Sequence, residues 1–338
     1  MITKWGDPRP VHDGHRSFRR LLDAAFAALA RTVLRIFFRR IEIRGAERIP
    51  PGPVVLVANH PNGLADALLL IGFLPRRVRA IARSTLWRNP AVRPFLAFAG
   101  TVPVYRPQDA AAEMWKNTGC FSRCHDLLAQ GGAIVIFPEG RSHDGKALLP
   151  LKTGAARIVL EARAKLGLDV RVVPVGMRYD AKDRFRSCAL VEIGEPIDAE
   201  PEVALYAATP QVTVRRLTGR VAVRLEHLAR GPVEDAAPPK QATFAGPAVA
   251  GMIANVLPCA LTMLVARTAR REMRTSYAIV AGFYLFPLFW LLETALGVVL
   301  GGVSVGLGTG VAALAGGWAA IVRLDARARD QTPLRAAA

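Results

Sequence analysis

From Arg16 to Arg40 apolar residues recur at helical spacing (Phe18, Leu22, Phe26, Leu29, Val33, Ile36, Phe37), while Arg16, Arg19, Arg20, Arg31 and Arg35 fall on the other side. The pattern predicts a basic amphipathic helix. Two placements fit it, a surface helix packed on a domain or a helix lying in a membrane interface. Seven arginines against one acid in this stretch lean towards anionic headgroups.

From residue 41 to about 234 the pattern changes. Short β-branched runs, Val54 to Val57, Ala133 to Phe137 and Val170 to Val175, alternate with helical stretches such as Gly154 to Leu166 and Gln211 to Arg230. Buried strands flanked by helices, an α/β unit, are the expectation. Gly231 to Lys240, rich in proline and acid, breaks the pattern as a linker.

Beyond the linker the chain turns almost wholly apolar. Gly246 to Ala266, Tyr277 to Leu300 and Gly301 to Val322 hold a single charged residue, Glu293. Each is long enough to cross about 30 Å of hydrocarbon at about 1.5 Å per residue. Pro258 and Asn255 interrupt the first segment. The connector carries Arg267, Arg270, Arg271 and Arg274, and the tail carries Arg323, Arg327, Arg329 and Arg335. By the positive-inside rule both face the cytoplasm, which three full crossings forbid. A hairpin of the second and third segments, with the first re-entrant or interfacial, satisfies the rule.

Composition sharpens this division. The 338 residues are 51% hydrophobic yet carry Lys+Arg 45 against Asp+Glu 27, a net charge of +18. Disorder is excluded for most of the length, and an anionic partner is implied: nucleic acid, acidic lipid or a phosphorylated substrate. The N-terminal stretch has no apolar core of the kind found in cleaved signal peptides. Cys120, Cys124, Cys188 and Cys259 lack the density of a disulfide scaffold. Cys120, Cys124 and His125 are close enough to suggest part of a metal site, but no second ligand pair accompanies them, so no metal is expected.

Candidate chemistry gathers at strand ends. The run Val54 to Ala58 leads into Asn59-His60-Pro61-Asn62-Gly63-Leu64-Ala65-Asp66. With His60 in the loop and Asp66 near the helix start, the carboxylate would hold one imidazole nitrogen and leave the other to take a proton. Gly100 to Arg106 places Arg106 at the end of a short strand and Phe137-Pro138-Glu139-Gly140-Arg141-Ser142 follows another, the usual ligand side of an open α/β sheet. Arg106 and Arg141 suit a phosphate, Glu139 suits a hydroxyl or an arginine, and Gly140 permits close backbone approach. A solvated-surface role for each arginine is the competing reading.

In this order and spacing the blocks resemble the glycerophospholipid acyltransferase family. The likeness spans about residues 41–200 and includes Val172-Val173-Pro174-Val175 as its fourth motif. The common box has four residues between His and Asp, whereas this chain has five. The longer box, with Phe137 to Asp144, Leu149 to Gly154 and Gly194 to Ile197, is similar to the fungal glycerol-3-phosphate/dihydroxyacetone-phosphate branch.

The resemblance implies an α/β acyltransferase domain with a mixed sheet flanked by helices. With the hydropathy and charge pattern, it divides the chain into an amphipathic helix (1–40), the acyltransferase domain (41–234), a linker (235–245), a membrane region (246–322) and a basic tail (323–338). It implies direct acyl transfer from acyl-CoA or acyl-carrier protein to glycerol-3-phosphate or its 1-acyl derivative, without a cofactor, in an integral membrane protein facing the cytoplasm. His60 and Asp66 would be catalytic, and Arg106, Glu139, Gly140 and Arg141 would bind the acceptor, with Val172 to Val175 serving the scaffold or the acyl surface. Anionic lipids, and not nucleic acid, would be the partners.

Two other readings compete. Gly302-Val303-Ser304-Val305-Gly306 spells a serine-hydrolase elbow, though no strand is expected before it. A non-enzymatic module binding nucleic acid or anionic lipid would account for the charge, but the arginines lack aromatic interleaving or zinc spacing.

Overall fold

A computed structural model describes residues 13–105, 117–145, 147–233 and 245–336. Arg106 and most of the linker lie outside the described residues. Among the described residues there are seven strands: β1 Phe38–Arg44, β2 Val54–Ala58, β3 Val78–Arg83, β4 Val102–Val104, β5 Ala133–Ile136, β6 Arg171–Tyr179 and β7 Ser187–Ile193. They form one sheet in the order β1-β7-β6-β2-β5-β3-β4. Only the β6–β7 pair is antiparallel, so the sheet is mixed as expected.

The described helices are α1 Asp13–Phe37, α2 Leu64–Phe73, α3 Arg93–Ala99, α4 Asn117–Ala129, α5 Gly154–Leu166, α6 Glu200–Tyr206, α7 Pro210–Ala229, α8 Ala245–Ala254, α9 Val256–Thr268 and α10 Arg274–Ala336.

The strand β2 lies inside the sheet and is buried at every residue. Its alternating side chains feed two cores. Val54, Leu56 and Ala58 join Phe26, Leu34 and Leu69 from α1 and α2, while Val55 and Val57 join Ile158 and Leu217 from α5 and α7. Full burial of such side chains contributes roughly 1.5–3 kcal/mol each, which makes β2 a rigid stalk for whatever follows it.

The face that the amphipathic helix buries overlaps the expected one in part. Phe26, Ala30, Leu34 and Phe37 are buried, whereas Phe18 and Leu21 are 63% and 66% exposed. The C-terminal half packs on the domain, where Gly72 of α2 lets the backbone of Arg31 come close. Arg31 donates to the Gly72 carbonyl (2.9 Å), and the exposed Arg35 holds its guanidinium over the Phe73 ring (5.6 Å). The helix also ends at Phe37 and not at Arg40. Arg186, at φ +60, donates its backbone amide to Phe37 O, and its guanidinium gathers the carbonyls of Arg35, Ile36 and Phe38. These bonds satisfy the helix's last carbonyls and release the chain into β1.

The C-terminal region folds back on itself. Gly302 breaks α10 with non-helical angles (φ 83, ψ 178). Thr294 meets Gly310, and a Cβ on Gly297 would come 2.9 Å from Gly306, whereas sixteen residues of straight helix would separate Thr294 from Gly310 by about 24 Å. The helix is therefore a hairpin of two arms, each long enough to cross a bilayer. The serine-elbow sequence is its tip, with no strand before it.

Helices α8 and α9 meet at a bend of 56°. Asn255, at the bend and 6% exposed, donates to Gly251 O and to Ala313 O of the second arm, and accepts from Trp290 Nε1 of the first. One buried amide thus fixes the broken segment to both arms, with its polar groups paired. Leucines such as Leu264, Leu291 and Leu300 point outwards at 60%, 68% and 77% exposure, an apolar surface suited to hydrocarbon.

Candidate active site

The stalk β2 ends in Asn59, whose side chain grips Met177 of β6 from both sides: Nδ2 donates to Met177 O (2.9 Å) and Oδ1 accepts from Met177 N (2.6 Å). That clamp stops the strand and turns His60 out. The imidazole stacks on Phe137 at 4.1 Å, 18° from parallel, and its backbone amide donates to Glu139 Oε1 (2.8 Å). His60 Nδ1 lies 2.9 Å from Asp66 Oδ2, as the box spacing required.

Asp66 is fully buried in the first turn of α2. Its Oδ2 also accepts from Asn62 N (2.7 Å), and Oδ1 accepts from the Tyr179 hydroxyl (2.5 Å). Three donors and the positive end of a helix offset its desolvation. Burial first, and then the Asp66 charge, push the Tyr179 phenol well above its ordinary pKa, so it stays a proton donor. With Nδ1 committed to the carboxylate, His60 presents Nε2 as a proton acceptor.

The second loop holds the first. Glu139 is 4% exposed, with Oε1 on the His60 amide and Oε2 on Leu149 N (2.9 Å) and His143 Nε2 (2.5 Å). It positions the histidine loop, in place of the expected contact with a hydroxyl or arginine. Gly140 takes φ +73 in the tight turn closed by its amide to Phe137 O (3.0 Å). Arg141 follows it, exposed at the sheet end. The Lys152 side chain lies across Gly140, where a Cβ would fall 2.9 Å from Nζ. A glycine here thus admits a second cation beside Arg141.

Sequence reasoning missed Tyr179, Lys152 and Lys182. Lys182 Nζ donates to Pro61 O (2.6 Å) and His143 O (2.7 Å) and pairs with Asp144 (2.7 Å), tying the two loops together. A tyrosine or lysine carries no local signal for such contacts. Val172 to Val175 are buried within β6 and serve the scaffold. Cys120 and Cys124 pack in the core, His125 Nε2 lies 3.2 Å from Ile158 O, and no cluster of three metal-ligating residues occurs among the described residues.

Residues 40–178 match the Acyltransferase family model. Over 292 residues the chain is 39% identical to the Saccharomyces cerevisiae protein "Glycerol-3-phosphate O-acyltransferase 1", covering 61% of this chain and 38% of that one. Over 142 residues it is 35% identical to human "1-acyl-sn-glycerol-3-phosphate acyltransferase alpha", covering 41% and 45%. In both cases it spans less than half of the relative's length. A solved structure, the 1-acyl-sn-glycerophosphate acyltransferase PlsC of Thermotoga maritima, aligns with TM-score 0.46 and 19% identity over 64% of this chain and 84% of that one. The matched segment contains the His60–Asp66 pair, the Phe-Pro-Glu-Gly turn and the strands that carry them, and over it the chain is similar to the acyltransferase family.

Proposed function

We propose that the chain is an integral-membrane O-acyltransferase of glycerolipid synthesis, moving a fatty acyl group from acyl-CoA or acyl-carrier protein to glycerol-3-phosphate or its 1-acyl derivative. The observation that carries this reading is the buried, fully bonded Asp66 holding His60 so that Nε2 is left for the substrate. His60 Nε2 takes the proton of a glycerol hydroxyl as its oxygen attacks the thioester carbonyl. The tetrahedral intermediate collapses with loss of the C–S bond, and the leaving thiolate receives the proton from the imidazolium. No separate cofactor enters the step.

Arg141 and Lys152 supply charge for the acceptor's phosphate, with Arg106 a further candidate from its place in the motif. An apolar cavity of about 410 Å³, lined by Leu22, Phe26, Leu29, Phe95, Phe98 and Phe283, suits an acyl chain. It opens between α1, α3 and the first arm of the hairpin. The proposed orientation is cytoplasmic: the arginine-rich connector favours that side, and Arg271 and Arg274 approach Asp183 of the domain (3.4 and 3.7 Å), which supports placing the catalytic loops on the same side.

The test offers the full-length chain in detergent each acceptor with acyl-CoA or acyl-carrier protein and reads the lipid products by mass spectrometry. His60→Ala should lower turnover by about 10²–10⁴-fold while the protein stays folded and membrane-bound. Near wild-type turnover would sink the mechanism. Vesicle binding without product would favour a non-enzymatic lipid-binding protein.

A further inference from the structure

The helix that carries Asp66 has no cap of its own. Its N-cap residue is Gly63, at φ +58, which has no side chain to accept from the free amides of the first turn. Yet the Leu64 amide is satisfied. It donates to Ser276 Oγ at 2.9 Å, across 212 residues of sequence. Ser276 is the third residue of the hairpin's first arm. A Cβ at position 63 would come 2.5 Å from that hydroxyl, so glycine is what admits it.

The neighbouring residue makes a second tie. Thr275 Oγ1 donates to Lys182 O (2.6 Å), the same carbonyl that accepts from Asn62 Nδ2 (3.0 Å). Thr275 and Ser276 are 1% and 5% exposed. Two buried hydroxyls at the foot of an otherwise apolar arm are thus spent on the loop and helix that hold the dyad.

We propose that Ser276 is a positioning residue of the transfer reaction: the hairpin supplies in trans the N-cap of the Asp66 helix, so the membrane region completes the active site as well as anchoring it. The inference rests on the acyltransferase reading of His60 and Asp66. Its physical content is that a slack first turn lets Asp66 drift from His60, which slows the proton transfer and leaves substrate binding alone.

The experiment compares wild type, Ser276→Ala and Ser276→Thr as full-length protein in detergent, with rates normalised to the folded fraction from gel filtration. Ser276→Ala should lower kcat about fivefold, with the KM of acceptor and donor changing less than twofold, and Ser276→Thr should restore kcat because it keeps the hydroxyl. Hydrogen exchange of the 62–70 segment, which needs no activity, should quicken in Ser276→Ala and recover in Ser276→Thr. Unchanged exchange overturns the cap. Faster exchange at unchanged kcat, or a loss confined to KM, overturns the positioning role. A wild-type chain that transfers no acyl group overturns the acyltransferase reading, and the exchange result then still decides whether the arm caps the helix.

Discussion

Asp66, in the first turn of α2, and Arg141, in the turn after β5, stand at the same end of the sheet, and they are built in opposite ways. Asp66 is wholly buried and receives three hydrogen bonds, whereas Arg141 is exposed on a glycine turn beside an exposed Lys152. The acid–base half is therefore preorganised and needs no rearrangement when substrate arrives. The proposed phosphate half is a pair of long, solvated cations that would lose side-chain freedom only on binding. Damage to the first half should appear in kcat, and damage to the second in the acceptor KM.

Tyr179→Phe presses hardest on that contrast. It leaves Asp66 Oδ1 buried without its donor, and a hydrogen bond to a charged group is worth roughly 1.5–3 kcal/mol. Steady-state kinetics should give a kcat lower by about tenfold or more at an unchanged acceptor KM. A rise in KM instead would break the division.

Arg141→Ala comes next. The acceptor KM should rise by up to about tenfold, with little change for the thioester donor, and Arg20→Ala, exposed on α1, should spare it. Equal losses at both positions would mean bulk electrostatics and no phosphate site.

The smallest effect is expected at Asp325→Asn. Arg186 would keep its three carbonyls while losing its carboxylate partner (2.9 and 2.5 Å), so melting should fall by about 2–4 °C with both kinetic constants nearly unchanged. A large kcat loss there would show that the far arm also governs the dyad.

The parts legible in the sequence are local ones. His60 and Asp66 are six residues apart, and a strand, a turn and a helix start are all encoded between them. The α/β class was legible through the buried strands and the mixed sheet through the family resemblance, but β1, β3 and β7 were not: Arg39, Arg40 and Glu42 give β1 the look of a polar edge, and its strand character comes from pairing with β7. Glu139 was read as a ligand-facing group because its true partner, the His60 amide, is 79 residues away. Arg31 was assigned to a polar face because periodicity describes one isolated helix, whereas α1 is gripped by α2 on the side the pattern leaves to water. Tyr179 and Ser276 act at separations of 113 and 212 residues, where no spacing rule reaches.

The bond between Arg186 and Asp325 has a mechanical side. The first arm of the hairpin is bolted to the domain through Thr275 and Ser276, and the second through Asp325. A body held by one stalk swivels; a body held by two does not. With the arms standing in a bilayer, the domain would ride at a set height and tilt, and His60 would sweep a thin layer above the lipid at a constant level. On the proposed reaction, selection among acceptors would then be partly a matter of elevation, a hydroxyl being used when the lipid bearing it holds it at the height of the imidazole.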